Sequence, residues 1–77
     1  MKKYSVCLFG HYTSITIEDE FFKVLKAIAK KEGKSIARII SSIDEKRKVD
    51  DNLSSAVRVF ILGYLVKNSN LDLFESK

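Results

Sequence analysis

The sequence has no proline, one cysteine, one histidine and only three glycines, and each scarcity removes a class of protein. Without proline there is no marked linker, and no repeat or low-complexity segment divides the chain. The single thiol, Cys7, cannot form an intrachain disulfide, which points to a reducing, cytoplasmic compartment. Its flanks, Val6 and Leu8, suit a buried thiol, and only His11 lies near enough in sequence to activate it. No Cys/His metal pattern is present, no glycine-rich loop cradles phosphate, and no second carboxylate stands at a useful spacing for acid–base work. No enzyme, cofactor, metal or small-molecule substrate is therefore expected.

Long hydrophobic runs are also missing. Met1-Lys2-Lys3 has the look of a signal-peptide start, but the apolar stretch behind it stops at Gly10-His11, too early for a signal core. The most apolar window, Val57 to Val66, is broken by Arg58 and Gly63 and falls short of a membrane span. A soluble chain with no membrane partner is expected.

What is present is an ordinary globular composition in a short chain. Seventy-seven residues allow one domain with a small core, and 45% apolar against 31% charged residues disfavours disorder. Without disulfide or metal, oligomerisation is the available extra source of stability. The formal charge of +4, doubled to +8 in a homodimer, favours a polyanionic partner through counterion release.

Thr13 to Glu18 reads as a six-residue strand that runs directly into a helix at Asp19. Tyr4 to Phe9 reads as a second short strand of weak alternation, stopped by Gly10. In the first helix Phe21, Val24, Leu25, Ile28 and Ala29 fall on one stripe; acidic residues open it, Lys30 and Lys31 close it, and Gly33 supplies a left-handed cap. Ser35 caps a second helix with apolar positions Ile36, Ile39, Ile40 and Ile43. Asn52 or Ser54 caps a third, from about Leu53 to Lys67. That helix is apolar on nearly all sides and so should be buried on nearly all sides, which a chain of this size achieves only against a partner. Residues 1–67 form the expected domain. Residues 68–77 are expected to fray, with Leu71, Leu73 and Phe74 available for docking.

Three groups of side chains carry possible chemistry. With a period of two, Ile15 and Ile17 turn toward the helices, while Tyr12, Ser14 and Thr16 turn outward as base-facing positions or as a plain solvated strand face. Glu18 follows on that side and would repel phosphate. At Gly33-Lys34-Ser35 a helix N-terminus and an ammonium offer a phosphate clamp, or simply an ordinary helix–helix turn. His11, beside the turn glycine, is a third phosphate candidate or a structural hydrogen-bonder. Asp44, Arg47, Asn52 and Arg58 form a polar set at the junction of the second and third helices, with Arg47 or Arg58 pairing to Asp44.

A short strand followed by two amphipathic helices, in a small basic chain, is the outline of a ribbon-helix-helix protein. An isolated strand is marginal in water, so Thr13–Glu18 is expected to pair with the same strand of a second copy. That gives a mainly α, intertwined homodimer with an intersubunit antiparallel ribbon and an added third helix. Gly10-His11-Tyr12-Thr13-Ser14-Ile15, Glu18, Phe21-Phe22, Ile28-Ala29, Gly33-Lys34-Ser35, Ile43-Asp44, Arg47 and Asn52 to Phe60 also resemble a group of small bacterial ribbon-helix-helix domain proteins, found largely in alphaproteobacteria. The resemblance spans roughly residues 4 to 66, and its Gly-His-x-Thr-Ser and Asn-Leu-Ser-Ser-Ala segments are the specific part. It implies the fold and a double-stranded DNA partner. The function expected is transcription regulation with a two-stranded ribbon in the major groove. The alternative is a dimeric protein-interaction module of the same fold that no longer reads DNA. Ribbon-helix-helix repressors commonly place Arg, Lys, Asn or Gln where this chain has Ser14 and Thr16.

Overall fold

A computed structural model describes residues 1–69. The elements run β1 (Lys2–Leu8), β2 (His11–Ile17), α1 (Asp19–Glu32), α2 (Ile36–Lys46) and α3 (Leu53–Lys67). The ribbon-helix-helix order expected from sequence is present, with the third helix added. Where the sequence reading pairs β2 only with a second copy, the strand has a partner within its own chain. β2 pairs antiparallel with β1 of the same chain, in register from Leu8↔His11 to Lys2↔Ile17.

The reason lies in the two residues between the strands. Phe9 (φ 53°) and Gly10 (φ 83°) are both left-handed, the combination of a two-residue type I′ turn that matches strand twist. Such a turn brings seven residues of β1 beside β2 across a very short loop, so the pairing needs no second chain.

The hairpin has one wet and one dry face. Leu8, Ile15 and Ile17 are buried, with Tyr4 and Val6 packed against the same core. The helices complete that core with Leu25, Ile28 and Ala29 of α1, Ile39, Ile40 and Ile43 of α2, and Val57 and Ile61 of α3. Cys7 is exposed, contrary to the expectation of a buried thiol. Because Leu8 points into the core, the residue before it must point out.

The caps fall where local chemistry places them. Gly33 (φ 69°) ends α1, and its N–H and that of Lys34 donate to Lys30 and Ala29 carbonyls. The Ser35 hydroxyl accepts from the Arg38 N–H at 3.1 Å, and the Asn52 side-chain oxygen accepts from the Ser55 N–H at 3.2 Å.

Helix α3 meets its own domain along one side only. Val57 and Ile61 are buried, but Val59, Leu62 and Leu65 remain exposed in the single chain. The anticipated docking residues Leu71, Leu73 and Phe74 lie outside the described residues. Among the described residues no helix is long and apolar enough to cross a membrane.

Candidate nucleic-acid interface

The outward face of the hairpin consists of three cross-strand pairs, Lys3 with Thr16, Ser5 with Ser14, and Cys7 with Tyr12. All six residues are exposed, Tyr12 by 80%. Tyr12, Ser14 and Thr16 thus share the outer face, as the period of two places them. Lys3, Ser5 and Cys7 complete it from β1, a half of the face that the sequence reading misses. Their signal is the alternation of Lys3, Ser5 and Cys7 with Tyr4, Val6 and Leu8, obscured because Val6-Cys7-Leu8-Phe9 reads as one apolar run.

The far end of the ribbon is anchored by side chains. The Thr16 N–H donates to Ser54 Oγ at 2.9 Å, and Arg58 Nη2 donates to the Thr16 carbonyl at 3.2 Å. Helix α3 therefore covers the open edge of β2 at this point, where an unpaired strand edge would otherwise invite non-native pairing. Arg58 Nε also donates to Glu18 at 3.1 Å. This pairing moves Arg58 away from the α2–α3 junction, where the sequence placed it, and partly offsets the negative charge expected to repel phosphate. The Glu18 carboxyl is held below its ordinary range, first by its own backbone N–H and next by Arg58.

The neighbouring acid is also engaged. The Tyr4 hydroxyl donates to Asp19 Oδ1 at 2.5 Å, while the Tyr4 ring stacks on Phe22 with centroids 3.7 Å apart. The hydrogen bond to Asp19 pushes the Tyr4 pKa up to about 12, and the same bond lowers that of Asp19. Strand β1, helix α1 and helix α3 are thus tied together at the base of the ribbon. The ribbon face is presented on a braced support rather than a free hairpin.

The remaining candidates sit apart from this face. Lys34 and Ser35 belong to the connection between α1 and α2, where both are exposed, and Lys34 has no ion-pair partner among the described residues. Ser35 already accepts the α2 capping hydrogen bond. His11 is exposed at the turn end, opposite Leu8. No hydrogen bond or ion pair joins Lys34, Ser35 and His11 to one another among the described residues.

At the α2–α3 junction, Arg47 Nε donates to Asp44 at 2.6 Å and Nη1 donates to the Asp51 carbonyl. Asn52 caps α3 beside them. This set closes a loop, and nothing in its geometry suggests chemistry.

The wet two-stranded ribbon followed by helices is a ribbon-helix-helix arrangement. A family model described as a ribbon-helix-helix domain matches residues 1–65, and the chain belongs to that family. The family is generally one of DNA-binding regulators. No curated protein and no solved structure matches the chain.

Proposed function

We propose that this protein is a cytoplasmic transcription regulator that binds double-stranded DNA by laying the outward face of its hairpin in the major groove, and that it works as a homodimer. The observation that carries this reading is the uninterrupted exposure of Lys3, Ser5, Cys7, Tyr12, Ser14 and Thr16 on one face of a two-stranded ribbon. Two strands about 4.8 Å apart form a ribbon that a groove about 12 Å wide admits. The hydroxyls of Ser5, Ser14 and Thr16 can donate to or accept from base edges, and the Thr16 methyl can touch a thymine methyl. Lys3 adds a cation on the face itself. None of these is a bidentate reader, so the chemistry favours modest base preference on a sequence-independent electrostatic background. Lys34, with the N-terminus of α2 behind it, is the proposed phosphate contact, and Ser35 and His11 are secondary ones.

The test is a salt titration of binding to DNA captured from cells and to random DNA. Thr16→Ala should relax preference between the two while leaving affinity for random DNA nearly intact. Lys34→Ala should weaken both and flatten the log-affinity against log-salt slope by about one unit for each phosphate that is no longer neutralised in each subunit. If the unmodified protein binds neither DNA at low salt, the DNA reading fails. The exposed Val59, Leu62 and Leu65 would then favour the second reading, a protein-interaction module of the same fold.

A further inference from the structure

The hairpin turn holds a residue that neither the turn nor the core accounts for. Phe9, at φ 53°, is the one non-glycine residue of positive φ among the described residues. That backbone suits Asn, Asp or Gly, and a bulky side chain adopts it only under strain. Burial would offset the strain, but Phe9 is 64% exposed and is not among the described side chains that pack against the core. The ring pairs among the described residues, Tyr4 with Phe22 and Phe60 with Tyr64, also leave it out. A strained, uncovered side chain at a loop tip points to a use outside the fold.

We propose that Phe9 is a thymine reader, its ring packing on thymine C5-methyl groups in the major groove beyond the end of the outward ribbon face. The proposal rests on the ribbon-in-groove reading above and adds a base-recognising residue that reading does not contain. Three observations select this partner. Phe9 lies just past the last cross-strand pair of the wet face, Cys7 with Tyr12, so a ribbon in the groove carries its ring there as well. Residues 4–17 contain no Asp, Glu, Lys or Arg, so the turn end neither repels DNA nor grips a phosphate by formal charge. An uncharged apolar tip gains from apolar surface, and the thymine methyl is the apolar group that base pairs present in the major groove. Finally, nothing stands within 4 Å of where a Cβ on Gly10 would lie, which leaves the turn open beside Phe9.

Position and chemistry together set what Phe9 contributes. Tyr12 and Thr16 are four residues apart, about 14 Å along the strand. Phe9 lies beyond Tyr12, so the thymines it touches stand apart from the bases within reach of Thr16. The hydroxyls of Ser5, Ser14 and Thr16 tolerate several bases, because each can donate or accept. A ring against a methyl group does not, since thymine alone among the four bases carries that methyl. The tip thus supplies a preference that the hydroxyl face lacks.

Uracil substitution tests the proposal, since uracil lacks the methyl and keeps the hydrogen-bonding edge. The probe is a duplex taken from the DNA captured from cells, resynthesised with uracil at one thymine at a time. The unmodified protein should bind about fourfold more weakly for each contacted methyl removed. Phe9→Gly suits positive φ and brings no new polar group; it should abolish the sensitivity at those thymines, whereas Thr16→Ala should leave it in place. Phe9→Asn, followed by circular dichroism without DNA, should raise the melting temperature by about 4–8 °C, because asparagine accepts the turn with less strain. Failure of the unmodified protein to bind any duplex would overturn the DNA reading itself. Binding that no single uracil weakens, or sensitivity that survives Phe9→Gly, would leave that reading standing and overturn the role of Phe9. A melting temperature that does not rise with Phe9→Asn would show that the ring serves the fold, and would overturn the proposal at its premise.

Discussion

Ile17 is the last residue of β2 and is fully buried, between Thr16 on the wet face and Glu18 at the start of α1. Replacing it tests whether the ribbon is held by its dry face. Ile17→Ala removes three carbons, at about 0.8 kcal/mol each roughly 2.4 kcal/mol, before any cavity cost. With an incompletely collapsed cavity the loss is expected between about 2 and 5 kcal/mol, against about 0.5–1.5 kcal/mol for Ile17→Val. A domain of this length holds only about 4–12 kcal/mol in total, so the alanine variant forfeits a large share of its stability. Urea unfolding followed by far-UV circular dichroism, at one fixed protein concentration, measures the difference. With a slope of about 1 kcal/mol per molar urea, the midpoint should fall by about 2 M or more for Ile17→Ala, with the slope unchanged. Ser14→Ala on the outer face should change stability by no more than about 0.5 kcal/mol. A loss below about 1 kcal/mol for Ile17→Ala, or an equal loss for Ser14→Ala, would refute the assignment of the two faces.

Two further perturbations examine the supports of the ribbon. Tyr4→Phe keeps the stack on Phe22 but removes the hydrogen bond to Asp19. Because the folded-state pKa of Tyr4 is raised from 10.0 to about 12, its contribution is complete below pH 10 and is lost as pH rises through about 12. Asp19 is lowered from 3.8, so its share is present above that pH and is lost as pH falls through the depressed value. Tyr4→Phe should therefore flatten both flanks of the stability–pH curve, and an unaltered curve would count against the bond. Asn52→Ala should cost about 1 kcal/mol through loss of the α3 cap, visible as a fall in melting temperature of about 4–8 °C. Asn52→Asp, which retains a capping oxygen, should stay near the unmodified value.

The helices are legible in the sequence because their determinants are local. The Phe21–Ala29 stripe, the left-handed Gly33, and the capping side chains of Ser35 and Asn52 act within a few residues of one another. The hairpin is hidden by its turn. A phenylalanine seldom adopts positive φ, so Phe9-Gly10 lacks the usual Asn-Gly or Asp-Gly signature and reads as the end of an apolar run. Gly10 reads as a turn and Tyr4 to Phe9 as a weak strand, but without that signature nothing joins the strand to β2, and the ribbon reads as one shared between two chains. On the site, the alternation of β2 places Tyr12, Ser14 and Thr16 outward, but the β1 half of the face is missed because the pairing of the two strands is. Arg58 illustrates a further limit. Its partners Glu18 and Thr16 lie some forty residues away, a separation that no local pattern encodes. Helix α3 announces in sequence that it needs cover on more than one side. It does not announce which of those sides its own chain supplies.

Whether the outward ribbon face is the DNA surface can be read through the single cysteine. Cys7 is exposed on that face, opposite Tyr12, so alkylation of this one thiol reports directly on whether the face is covered. The modification rate should be measured with and without saturating duplex DNA at low salt, and again after salt has released the DNA. Binding through the ribbon predicts strong protection of Cys7 by duplex, lost on salt release. A thiol introduced as Ser14→Cys in a Cys7→Ser background should be protected in the same way. Binding that leaves Cys7 as reactive as in the free protein would place the DNA elsewhere on the molecule and contradict the ribbon-in-groove mode.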